Sequence, residues 1–77
     1  MPTIQRLTNV SIAIYPDDHI PPHFHVRGPN TEVQIDIETL QVMRGSYRRV
    51  DLVEAITWAA RHQPLLREKW REFNERD

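Results

Sequence analysis

Apolar side chains recur at every second position through the first half of this chain and at helical spacing after Gly45. That change of period constrains the fold more than any other feature. Val10, Ile12 and Ile14 alternate with Ser11, Ala13 and Tyr15, which predicts a half-buried strand over residues 4–15. Pro16, Asp17 and Asp18 end it, and Pro21-Pro22 keeps the next connection extended, because proline lacks an N–H and disfavours helix in the residue before it. Residues 23–28 alternate again, Phe24 and Val26 against His23, His25 and Arg27, up to the turn residues Gly28-Pro29-Asn30. In residues 31–37, Val33, Ile35 and Ile37 alternate with Glu32, Gln34 and Asp36, so the two segments predict an antiparallel hairpin. Residues 40–44 can add a fourth strand.

Past Gly45, Val50, Val53, Ile56 and Ala60, with Leu52 and Ala59, predict a helix over 49–62, begun by a capping box between Asp51 and Glu54 or by Ser46. Pro64 suits the first turn of a second helix over 64–75, in which Leu66, Trp70 and Phe73 share a face and charged residues crowd the others. Asn74 to Asp77 are expected to fray. Strands followed by helices define an α+β domain: a small antiparallel sheet of three to four strands, then two C-terminal helices packed on one face.

The 77 residues leave room for one core, so 1–77 reads as a single domain. A domain this small buries only about 60% of its unfolded surface, which makes a second copy of itself or another protein a useful partner. The absence of cysteine excludes disulfides and thiolate chemistry, so any zinc would rest on histidine and carboxylate. Residues 1–18 lack the pattern of a secretory leader, and no apolar run approaches the roughly 20 residues of a membrane span. The expectation is a cytoplasmic protein with no membrane partner. A net charge of -1 gives no general attraction to nucleic acid or anionic lipid. The charge is divided, however: residues 1–43 carry two basic and five acidic side chains, residues 44–77 eight and six.

Met1-Pro2-Thr3-Ile4, the run Y-P-D-D-H-I-P-P-H-F-H over Tyr15 to His25, and Trp58 with His62 together resemble a bacterial family catalogued as domain of unknown function 4160. The resemblance covers nearly the whole chain. It implies a small bacterial protein with this order of strands, hairpin and helices, of a kind associated with toxin-antitoxin-like gene pairs, and it implies no activity. The family tends to have Leu-Pro before the first helix, where this chain has Tyr47-Arg48.

His23 and His25, two apart on a strand, lie on one face roughly 7 Å apart at Cα. With His19 and an oxygen from Asp17 or Asp18 they could hold zinc, which takes nitrogen and oxygen ligands and leaves a position open in catalytic sites. The spacing matches no established zinc signature. A purely structural role also accounts for each histidine taken singly, with His19 and Asp18 tying down a proline-stiffened loop. His62 reaches the same face only if the first helix crosses there.

Four functions are compatible with these residues. The leading expectation is a protein-interaction or regulatory module anchored by Trp70 and Phe73, although ordinary core packing of an amphipathic helix is the better account of the two aromatics themselves. A nucleic-acid platform would use His23, His25 and Arg27 with Arg44, Arg48 and Arg49, but lacks stacking aromatics on that face. Acid–base chemistry, most naturally on a phosphodiester, would use the Asp and His cluster with Arg27 stabilising negative charge. An N-terminal Pro2 base of the tautomerase type fits the element order poorly.

Overall fold

The computed structural model describes residues 3–74, so Met1, Pro2 and the tail from residue 75 onward lie outside the described residues, as does any Pro2 chemistry. The sheet is a meander in which each strand pairs antiparallel with the next in sequence: β1 (Thr3–Arg6), β2 (Ser11–Ala13), β3 (His23–Gly28), β4 (Thr31–Asp36) and β5 (Val42–Ser46). Two helices follow, α1 (Arg49–Ala60) and α2 (Gln63–Asn74). The class is α+β, with five strands where three to four are expected.

The additional strand comes from the segment read as one strand over 4–15. Leu7 N–H donates to the Val10 carbonyl at 2.8 Å and folds that segment back on itself. The tip is held from a distance, because the Glu54 side chain on α1 accepts from the backbone N–H of Thr8 and Asn9. Glu54 is therefore not half of a capping box. Arg48 is the N-cap of α1 and makes no side-chain capping bond, while Asp51 is buried against Thr31 and Arg48. β5 starts two residues later than expected. Asp36 Oδ1 accepts from the N–H of Glu38 and Thr39, and Leu40 takes a left-handed φ of 60°, so the chain is still turning at residue 40.

The β3–β4 hairpin forms as its alternation requires, with Phe24 opposite Ile35 and Val26 opposite Val33. Those four side chains are fully buried and form the core with Ile12, Ile14, Ala55 and Ala59 of α1, and Leu66 and Trp70 of α2. Burying such side chains contributes about 1.5–3 kcal/mol each. The opposite face of the sheet carries the polar half of each strand. Along it, the register sets Arg6, Ser11, Arg27, Glu32 and Ser46 in one row across the strands, and Thr3, Ala13, His25, Gln34 and Arg44 in the next.

Candidate functional site

β3 begins at His23, directly after Pro21-Pro22, and its alternation turns His23 and His25 away from the core residues Phe24 and Val26. Their ring centroids are 5.2 Å apart. The Ile14–Pro22 connection returns over them and delivers Asp18, whose Oδ2 lies 3.0 Å from Nε2 of His23 and 3.0 Å from Nε2 of His25. One ligand atom from each of the three residues falls within 4.8 Å of the others. The loop is positioned by α2: Asn74 accepts from the Asp18 N–H at 2.7 Å and donates to the Tyr15 carbonyl at 3.1 Å. Between these points Asp17 adopts a left-handed φ of 58°, which aspartate tolerates better than most residues.

The three side chains are shielded unequally, at 1% exposure for His23, 15% for His25 and 16% for Asp18. His23 lies against Trp70, at 5.3 Å between rings, and Tyr15 stands edge-on to His25 at 4.5 Å. Tyr15 Oη accepts from Arg27 Nη1 at 3.0 Å.

Hydrogen-bond chemistry makes His23 informative. Its Nδ1 lies 2.7 Å from the Pro21 carbonyl, which can only accept, so Nδ1 carries a hydrogen. Nε2 then faces the Asp18 carboxylate, a second acceptor. That contact is a hydrogen bond only if the ring is an imidazolium; in the neutral ring Nε2 presents a lone pair to a carboxylate. A cation between the two resolves the conflict, and a backbone carbonyl on the other nitrogen is the partner that fixes a metal-ligating histidine. Burial alone would raise the Asp18 carboxyl. The hydrogen bonds from His25 and the His19 backbone, with the charges of His23 and His25, hold it below the usual carboxylate value.

The expected cluster of Asp17, Asp18, His19, His23, His25 and Arg27 is thus brought together in part. His19 stands outside the group, its side chain 87% exposed, and contributes its backbone N–H to Asp18 Oδ1. Asp17 is exposed and serves the turn. Arg27 joins through Tyr15. His62 does not return to this face: it stacks on Trp58 at 4.2 Å, and its Nδ1 is 2.8 Å from the Trp58 carbonyl at the end of α1. Trp70, 2% exposed, and Phe73, partly buried, pack on the core, so the two aromatics expected at an interface do not offer a docking face. Arg48 is committed to Asp51 and Arg49 sits in α1, which leaves Arg44 on the polar face beside Arg27. Sequence reasoning missed Tyr15 and Asn74. Tyr15 was readable as a polar-face residue of its strand, whereas nothing near Asn74 signals its partners.

A meander capped by a helical pair, with two histidines and a carboxylate converging at the end of the sheet, defines a small α+β domain with a candidate metal centre. The chain belongs to the family described as Domain of unknown function (DUF4160), which matches residues 10–71 and so takes in the whole cluster. Searches of the curated proteins and of the solved structures found no match. No helix among the described residues is long and apolar enough to cross a membrane.

Proposed function

We propose that this protein is a metal-binding domain whose centre, Asp18, His23 and His25, takes a divalent transition metal of the zinc class. The observation that carries the reading is the sharing of Asp18 Oδ2 by two Nε2 atoms at 3.0 Å each. Ligand atoms bound tetrahedrally at zinc distances sit about 3.4 Å from one another, so a spread of a few tenths of an ångström would admit the ion. Two histidines and one carboxylate leave a fourth position for water or substrate, the arrangement of catalytic rather than structural zinc. Cobalt(II) titration tests it. A visible d–d band saturating at one equivalent is expected, unchanged in His19→Ala and lost in His25→Ala; no band in the folded protein would sink the assignment.

A second reading is a protein-interaction or regulatory module, of the sort suspected in bacterial toxin-antitoxin-like gene pairs, binding another protein or a second copy. It is favoured by the exposed large apolar residues: among the described residues and besides Ile20, they are Val42, Met43, Tyr47, Val50 and Val53, on the open edge strand β5, the link after it and the start of α1. Patches of this kind mark partner surfaces. Native mass spectrometry of the untagged protein from its host tests this reading, with a stoichiometric complex abolished by Val50→Asp and Val53→Asp together. A bare monomer would count against it.

A further inference from the structure

The polar face of the sheet holds more cationic and hydrogen-bonding groups than the metal centre uses. A groove of about 380 Å³ opens beside His25, between Tyr15, Arg27, Gln34 and Arg44. A second of about 410 Å³ continues from Arg27 over Ser11 and Ala13 toward Thr3, and a third of about 290 Å³ runs from Arg27 to Arg6. Arg27 borders all three, so they lie side by side as a segmented trough across the strands. Its floor is low because β2 contributes only Ser11 and Ala13 to this face.

The register fixes the spacing of charge along that trough. Arg6 and Arg27 lie in the same row two strands apart, roughly 10 Å, and Arg44 is two strands further and one row over, roughly 12 Å from Arg27. All three arginines are exposed, and among the described residues Arg6 and Arg44 make no ion pair. Arg27 is steadied by its bond to Tyr15 Oη. Among the described residues Glu32 is the one acidic side chain lining these grooves; it sits directly across from Arg27 in register, yet comes no closer than the 4 Å of an ion pair. A row of separated guanidinium groups on an open, shallow face suits an extended chain of phosphates better than one compact anion. With no Phe, Trp or Tyr among the described residues lining the trough besides the half-buried Tyr15, the phosphate backbone would be gripped and the bases left unread.

We propose that the open sheet face binds the phosphodiester backbone of a single-stranded nucleic acid, laid across the strands over Arg6, Arg27 and Arg44 so that it passes the Asp18, His23 and His25 centre. The proposal extends the metal-site reading by naming what reaches the ion's open position, while the grip itself comes from the arginines.

The experiment is fluorescence anisotropy of the full chain with fluorescein-labelled dodecamers of uridine and of thymidine, and a duplex of the same length, each in EDTA and with one equivalent of zinc. Three phosphate contacts predict that doubling the salt weakens single-strand binding about fourfold. Arg27→Gln combined with Arg44→Gln lowers affinity about tenfold and flattens the salt dependence to less than about twofold per doubling. Arg49→Gln, on α1, changes neither. Circular dichroism confirms that each variant is folded. Binding of either single strand with this pattern supports the proposal, and a preference between RNA and DNA identifies the source. Absence of single-strand binding, tighter binding of duplex, or an Arg49→Gln loss equal to that of the double variant would overturn it. Zinc uptake measured on the same samples separates the two assignments: uptake without nucleic-acid binding removes the trough alone, and binding in EDTA without zinc uptake removes the metal centre alone.

Discussion

His23 lies between two acceptors, the Pro21 carbonyl at 2.7 Å and the Asp18 carboxylate at 3.0 Å, with almost none of its surface open to water. Without a metal, the arrangement is satisfied when His23 carries a hydrogen on both ring nitrogens, His25 donates from Nε2, and Asp18 is ionised. The Asp18 carboxyl is held below its ordinary value of 3.8 in the folded chain, so its contribution to stability is fully present above that value and is lost as pH falls through the lower folded one. Asp18→Asn removes this dependence. Thermal melts of the metal-free proteins are expected to differ by a constant amount above the ordinary carboxyl value of 3.8 and to converge as pH falls below it; a difference unchanged by acidification would contradict the assignment. A second buried polar group gives a cleaner energetic test. Thr31 Oγ1 donates to Asp51 at 2.6 Å and accepts from the Arg48 N–H at 3.0 Å, tying the start of α1 to the hairpin. Thr31→Val leaves the Arg48 N–H unmatched and Asp51 with only its Arg48 guanidinium bonds, and is expected to cost about 2 kcal/mol in urea denaturation, whereas a loss below about 0.5 kcal/mol would show that water replaces the hydroxyl.

At the scale of elements, α2 does more than cover the core. Its first residue, Gln63, donates to the Ile37 carbonyl, Arg67 forms a bidentate pair with Glu38, and Asn74 holds the Tyr15–Asp18 loop at the far end. Asn74→Ala is therefore expected to weaken zinc binding about tenfold, or about 1.4 kcal/mol, through a loosened Asp18 while the helix stays folded. Unchanged affinity in a titration of that variant would mean that the loop needs no anchor. The same contacts show what a sequence can and cannot disclose. β3 and β4 are legible because their two faces differ sharply in polarity, and that alternation alone places His23 and His25 together. The Leu7–Val10 turn is hidden inside a run that reads as one strand, since its tip is secured by Glu54 from α1. Asp51 and Glu54 have the spacing of a cap but are drawn into contacts with Thr31 and the first turn. His19 and Asp18 are adjacent, and only the folded loop decides that Asp18 turns inward while His19 faces water. Asn74 reaches its partners across most of the chain, where local pattern carries no information.

For the whole molecule, stability of roughly 4–12 kcal/mol is expected from its length, so single core residues are a large share of the total. Phe24, fully buried between the sheet and the helices, is the extreme case: Phe24→Ala is expected to cost about 3–5 kcal/mol and leave a chain that melts near or below room temperature. Retention of most of the wild-type melting temperature would show that the core is less cooperative than its packing implies. A metal that binds only the folded chain acts in the opposite direction, adding about 2.7 kcal/mol at a hundredfold excess over its dissociation constant. The most direct test is isothermal titration of zinc into the untagged, metal-stripped protein beside His25→Ala and His19→Ala. Uptake of one equivalent at micromolar concentration, abolished by His25→Ala and kept by His19→Ala, is the predicted result. No uptake by the wild-type protein, or uptake that survives His25→Ala, would contradict the metal centre.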